Sequence, residues 1–188
     1  MEKANTSIVS LGSAAYAAKR AADIVFVLQN KDQLGRPALV GRLNETLKAY
    51  GEDSKVTDTD LQELESTAQM LYAVFAEQDV PVAARLLNEV LVKYARAPRL
   101  SKHGDTAWHL HVDSDDHAPW AEWFAASSAL ALVVLLAEKQ RNPGGLCASS
   151  TCGRPFIDLG KGGGRSYCSP KCATRERVAA YRKARKTA

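Results

Sequence analysis

Cys147-Ala-Ser-Ser-Thr-Cys152, then Tyr167-Cys168-Ser-Pro-Lys-Cys172 and the basic run Arg175 to Lys186, form the stretch around which the chain is organised. All four cysteines lie here in two close pairs, with four residues inside the first pair, fifteen between the pairs and three inside the second. Tetrahedral Zn²⁺ takes four soft ligands, and each short loop can supply two without strain. The spacing therefore points to one Zn²⁺ per chain held by Cys147, Cys152, Cys168 and Cys172 as thiolates. Two other readings compete. Disulfides would suit an exported chain, but Lys19, Arg20 and Asp23 interrupt the apolar residues of the first thirty positions, so no signal-peptide core is expected. Free structural thiols or a redox pair remain, although neither close pair has the two-residue spacing of the thioredoxin-type motif.

The spacer between the pairs reads as a hairpin. Arg154 to Asp158 and Arg165 to Tyr167 are expected to pair as short strands, with Gly160, Gly162, Gly163 and Gly164 supplying positive φ angles in the turn. A phosphate loop is excluded, because the Walker order Gly-Lys-Ser/Thr is missing. After Cys172 the sequence is rich in helix formers and free of Gly and Pro, which predicts a helix anchored by its own zinc ligand. On that helix Val178 and Tyr181 are spaced to pack inward, and Arg175, Arg182 and Arg185 to line another side. From position 141 onward there are eleven Lys or Arg against Asp158 and Glu176, whereas the first 140 residues carry fourteen basic and nineteen acidic side chains. A basic end on an acidic body implies a nucleic-acid-facing module.

These residues resemble a known family. The cysteine module is similar to the CGNR zinc finger, named for a Cys-Gly-Asn-Arg run at its last ligand and usually attached to a helical amino-terminal domain called ABATE. The resemblance rests on Cys147 and Cys152, on Phe156 with Asp158, on Arg165 ahead of Tyr167-Cys168-Ser169, and on Cys172 followed by a basic helix. It is specific from about Leu146 to Arg182. The eponymous run here is Cys172-Ala173-Thr174-Arg175, with the Gly and Asn replaced. The resemblance implies a bacterial stress-induced transcription regulator, a sensing or dimerising body and a finger on DNA.

The chain ahead of the module has enough apolar residues for one sizeable core. Ser7 to Asn30 carries Tyr16, Ala17, Ala21, Ile24, Val25 and Leu28 at helical spacing, with Lys19, Arg20 and Asp23 off that stripe. Leu39, Leu43, Leu47 and Tyr50 mark a second helix that Gly51 ends. Thr57 to Asp60 caps a third, through Leu61, Leu64, Ala68, Leu71 and Phe75, and Asp79 with Pro81 opens a fourth, through Leu86, Leu87, Val90, Leu91 and Tyr94. From Arg99 to Asp113 the period changes to two. Gly104-Asp105 is expected to turn a hairpin that buries Trp108, Leu110 and Val112 and leaves His109 and His111 together on the other face. Two histidines alone do not make a metal site, so a polar face or ligand-pocket lining is expected there. Trp120 to Ala137 is apolar on nearly every side, as a central helix is, and Glu122 and Glu138 bound its apolar stretch too closely for a membrane span. Arg141-Asn-Pro-Gly-Gly145 reads as a linker that can hinge.

The expected fold is α+β and mainly helical. A helical domain with a short β-hairpin (residues 1–141) precedes a small treble-clef-like zinc finger with a basic carboxy-terminal helix (residues 146–188). The expected function is zinc-dependent DNA binding in transcription regulation, with Arg165, Arg175, Arg177, Arg182, Lys183 and Arg185 on the nucleic acid and Arg175 reading a base. The alternative is an RNA-binding or protein-docking zinc module without base readout. An enzyme is not expected, since no nucleophile elbow, dinucleotide fingerprint or His-Glu-x-x-His motif appears and four thiolates leave a zinc ion no open position. The expected partners are double-stranded DNA, a second copy in a homodimer and a small-molecule effector, in the cytoplasm with the nucleoid and without a membrane.

Overall fold

The computed structural model describes residues 11–52, 55–102, 107–160, 162 and 164–187. Among these residues are six α-helices, α1 (Leu11–Gln29), α2 (Arg36–Ala49), α3 (Leu61–Ala76), α4 (Val80–Tyr94), α5 (Trp120–Lys139) and α6 (Pro170–Thr187). Two antiparallel hairpins accompany them, β1 (Arg99–Ser101) with β2 (His109–His111) and β3 (Gly144–Leu146) with β4 (Pro155–Ile157). The chain is thus mainly helical, as its periodicity implies.

The helix ends follow from local chemistry. Gly51 sits at φ 80°, in the left-handed region an L side chain avoids, and its N–H closes α2 on the Lys48 carbonyl at 3.0 Å. Asp60 accepts from the Thr57 N–H at 2.7 Å in a capping box ahead of α3, and Asp79 accepts from the Val82 N–H at 2.9 Å with Pro81 in the first turn of α4. The predicted stripes then face one core, except that Tyr16 at the start of the α1 stripe is 49% exposed. Leu39, Leu43, Leu47, Leu61, Leu64, Leu71, Phe75, Leu87 and Val90 are all buried, each such side chain contributing about 1.5–3 kcal/mol. Helix α5 runs through the middle and packs on α1, α3 and α4, with Phe124, Ala125, Leu132 and Leu135 sealed from solvent. Buried alanines on α1 and α5 let these two helices approach closely. By length and composition α5 meets the requirement for a membrane span, and its place at the centre of the body accounts for the same apolarity.

Sequence expectations about the body and the β-hairpins need correction at four further points. Arg20, assigned to the outer face of α1, is buried. Its Nη1 donates to Glu52 at 2.6 Å, its Nη2 donates to Ser127 at 2.9 Å, and its guanidinium lies 4.1 Å from the Trp123 ring centre. An opposite charge and a ring brought from distant segments make that burial tolerable, which helical periodicity cannot register. The β1–β2 hairpin exists with Leu100 opposite Leu110, but Trp108 is 68% exposed and Leu100 67%, and of Trp108, Leu110 and Val112 only Val112 is buried. Its expected Gly104-Asp105 turn lies outside the described residues, as does Gly163. Next, β4 pairs with β3 and not with the segment from Arg165, so the supposed hinge passes into a strand at Gly144. Gly144 is obligatory there because a Cβ would stand 1.9 Å from the Phe156 carbonyl oxygen. Lastly, the positive φ needed in this region falls at Gly153, at 59°, and not at Gly160, Gly162 or Gly164.

The β3–β4 hairpin ties the module to the body. Ile157 belongs to the helical core, Phe156 to the small cluster around the cysteines, and the Asn142 side-chain amide donates to the carbonyls of Glu77 and Gln78 at 2.9 and 3.0 Å. Across the seam, Arg154 Nη2 donates to Asp23 Oδ1 at 2.7 Å.

Candidate metal centre

Each cysteine is placed by a short backbone motif. Cys147 leaves β3 with its N–H on the Arg154 carbonyl at 2.9 Å, and the Cys152 N–H closes the first loop on the Ser149 carbonyl at 2.9 Å. The Ala148 N–H reaches the Ser166 carbonyl at 2.8 Å and draws the second loop alongside. Ser169 precedes α6 and accepts from the Cys172 N–H at 3.3 Å, Pro170 opens the helix, and Cys172 lies in its first turn as the sequence implies.

The four Sγ atoms all lie within 4.8 Å of one another, with Cys168 Sγ 3.7 Å from both Cys152 Sγ and Cys172 Sγ, and no disulfide joins them. A tetrahedral ion with Zn–S bonds of ~2.3 Å requires sulfurs ~3.8 Å apart, so these thiols fit a single zinc. Cys147 and Cys172 are buried, Cys152 and Cys168 half-buried, and Phe156 and Tyr167 pack against the group. As free thiols Cys168 and Cys172 are mismatched in acidity. Burial and the neighbouring thiols push Cys168 up to about 12, while the Ser169 hydroxyl draws Cys172 down to about 7. Four crowded thiols cannot all ionise alone, and a dication binding them as thiolates removes the conflict. The ion's role in a filled four-sulfur shell is to cross-link the two loops and the helix.

Outer contacts hold this arrangement. The Cys168 N–H donates to Cys147 Sγ at 3.4 Å, and Arg175 Nη2 donates to Cys172 Sγ at 3.2 Å and to Ser149 Oγ at 2.8 Å. Glu176 on α6 receives the Ser149 hydroxyl at 2.7 Å and the Ser150 N–H at 3.1 Å, and these bonds, led by Ser149, hold its pKa below the usual value. Asp158 fastens the other side. It accepts from Arg141 Nη1 at 2.8 Å, the Gly160 N–H at 3.0 Å and the Arg165 N–H at 3.1 Å. Burial pushes its pKa up, but these three donors outweigh that and leave it lowered. Asp158 and Glu176 are positioning residues that spacing did not reveal. The sequence signals were that they are the only acids from position 141 onward and that Asp158 is among the residues carrying the family resemblance.

The basic residues divide into two groups. Arg165 folds over the second loop, donating to the Cys168 carbonyl at 2.9 Å with its guanidinium 5.3 Å from the Phe156 ring centre, and Arg175 is turned back on the cluster. Arg177, Arg182, Lys183 and Arg185 lie on the exposed part of α6. Val178 and Tyr181, expected to pack inward, are 43% and 64% exposed. The cysteine cluster is too small to cover more than the first turns of the helix, and from Arg177 the structure leaves α6 open to solvent. His109 and His111 are adjacent on β2, with ring centres 4.7 Å apart, and Nδ1 of His111 lies 3.2 Å from Asp113 Oδ1. Among the described residues the cysteines are the one group of three or more candidate ligands close enough to share an ion. Cavities of about 340 and 460 Å³ lie elsewhere, between α1 and α2 and between α3 and α4.

Four sulfurs at tetrahedral spacing, two from a loop after a strand and two at a helix start, define a small zinc finger. Residues 145–185 match the CGNR zinc finger family, a segment that is the cysteine module and leaves the helical body outside it. No curated protein matches the chain.

Proposed function

We propose that this protein is a zinc-dependent DNA-binding transcription regulator whose α6 lies against double-stranded DNA and whose helical body forms a homodimer and senses a small effector. The observation that carries it is the state of α6. Its first turn is fastened to the cysteine cluster, while Arg177, Arg182, Lys183 and Arg185 are presented on a length of helix that the rest of the described chain leaves exposed. Such a helix is long enough to follow a groove and is held at one end by a metal cross-link. Arg177, Arg182, Lys183 and Arg185 contact phosphates, which position the protein. Arg165 and Arg175 hold the finger in shape, and Arg175 reaches a base only by leaving Cys172. The match of residues 145–185 to the CGNR zinc finger is what supports a stress-linked role, and the reading places the protein in the cytoplasm without catalysis or membrane attachment. Dimerisation follows from size, because a single module covers only ~600–1,000 Å² of nucleic acid.

Fluorescence anisotropy with random and genomic duplexes over a salt series tests this. Arg182→Ala and Arg185→Ala each reduce the salt slope by ~0.9, the loss of one phosphate contact, on every duplex. Arg175→Ala costs ~1–3 kcal/mol on a cognate site alone if it reads a base. A protein that binds single-stranded RNA or no nucleic acid at low salt is not this regulator.

A further inference from the structure

The cavity of about 340 Å³ between α1 and α2 meets the cysteine module at its base. Phe26, Leu34 and Ala49 supply apolar lining, and Asp23, Tyr50 and Arg154 the polar end. Both acids in the lining are engaged. Asp23 receives Arg154 Nη2 at 2.7 Å on one oxygen and the Tyr50 hydroxyl at 2.9 Å on the other, while Glu45 receives Arg42 Nη1 at 3.1 Å. Arg42 and Arg154 both keep donors to spare, and Arg154 is the less exposed of the two. A guanidinium has five N–H donors. Among the described residues the Arg154 guanidinium makes a single hydrogen bond, to Asp23, and its Cζ lies 4.5 Å from the Phe26 ring centre. An arginine held against a ring, with one nitrogen on a carboxylate and its side chain in the lining of a partly apolar cleft, is prepared for an anion. The volume is at the small end of the ~300–1,000 Å³ typical of ligand sites.

We propose that this cleft is a binding site for a small organic carboxylate, its anionic end on Arg154 and its apolar body between α1 and α2. Because Arg154 comes from the finger and the walls from the body, an occupant touches both parts. The site deepens the effector part of the proposed regulator and rests on that reading for its consequence. Binding itself is measured without nucleic acid, so the two can fail separately.

Isothermal titration calorimetry of the zinc-loaded full chain with benzoate, with benzamide and benzylamine as neutral and cationic shape matches, tests it. Benzoate binds saturably, and both matches bind at least ~10-fold more weakly. Arg154→Gln and Ala49→Phe each weaken benzoate at least ~10-fold, the first by removing the donor and the second by filling the cleft with every charge kept. Ala49 is exposed on α2, so its variant folds even if loss of the Arg154 ion pair loosens the seam. No saturable benzoate binding up to on the order of 10 mM overturns the proposal. Equal binding of benzylamine, or undiminished benzoate affinity in Ala49→Phe, does the same.

Discussion

The two hairpins have the same size and opposite fates. Each pairs three residues with three, yet β1–β2 leaves Leu100 and Trp108 in solvent, whereas Pro155, Phe156 and Ile157 of β4 are all buried. A two-stranded ribbon has two faces and is marginal alone. The β3–β4 ribbon has both faces covered, by α1 and α3 on one side and the cysteine cluster on the other. Hydrophobic residues in alternation therefore do not reveal whether a hairpin is structural. What lies on each side of it decides that.

Zinc removal puts the most strain on this contrast. Structural zinc in finger peptides binds with an apparent ~10–16 kcal/mol at neutral pH, so a chelator or Cys172→Ser unfolds the module. Because Ile157 and Arg154 reach into the body, the helical signal also melts at a lower temperature by circular dichroism. An unchanged body Tm would show that the hairpin belongs to the finger alone.

Next in size is Ile157→Ala, which costs about 2–5 kcal/mol in denaturant unfolding of the zinc-loaded protein. A loss below ~1 kcal/mol would mean that β4 does not share the helical core.

Asp158→Asn comes third, at about 1–3 kcal/mol, through the lost charge on the bonds to Arg141, Gly160 and Arg165. The folded-state pKa of Asp158 is lowered, so its stabilisation is complete above the ordinary aspartate value near ~3.9 and is lost as pH falls through the lower folded value. The variant shows a correspondingly flatter acid limb in urea midpoints taken down through that range. An identical limb in both proteins would remove Asp158 as the cause.

The smallest effects belong to β1–β2. Leu100→Ser and Trp108→Ser each stay within ~0.5 kcal/mol in the monomer. If either costs more than ~2 kcal/mol, and only at concentrations where the protein self-associates, this hairpin is covered in an assembly and the contrast between the ribbons narrows.

Much of the molecule was legible without coordinates because its signals are local. Cysteine spacing specifies a tetrahedral site since ligand geometry limits loop length, and the four sulfurs meet. Capping at Thr57 and Asp79, the left-handed stop at Gly51 and the leucine stripes of α2 to α4 are contacts within a few residues of chain, and each appears where the sequence places it. What the tertiary structure alone decided involves partners far apart. Burial of Arg20 depends on Glu52 and on Trp123, neither on its own helix. Pairing of β4 with β3 rather than with the segment from Arg165 depends on the helical body offering Ile157 a place, and on a glycine at 144 yielding to the Phe156 carbonyl. Exposure of Val178 and Tyr181 follows from a metal cluster that fills its own small core with sulfur and leaves no apolar surface for the rest of α6. A period along one segment reports that a face is apolar, and only the neighbours brought by the fold determine what, if anything, covers it.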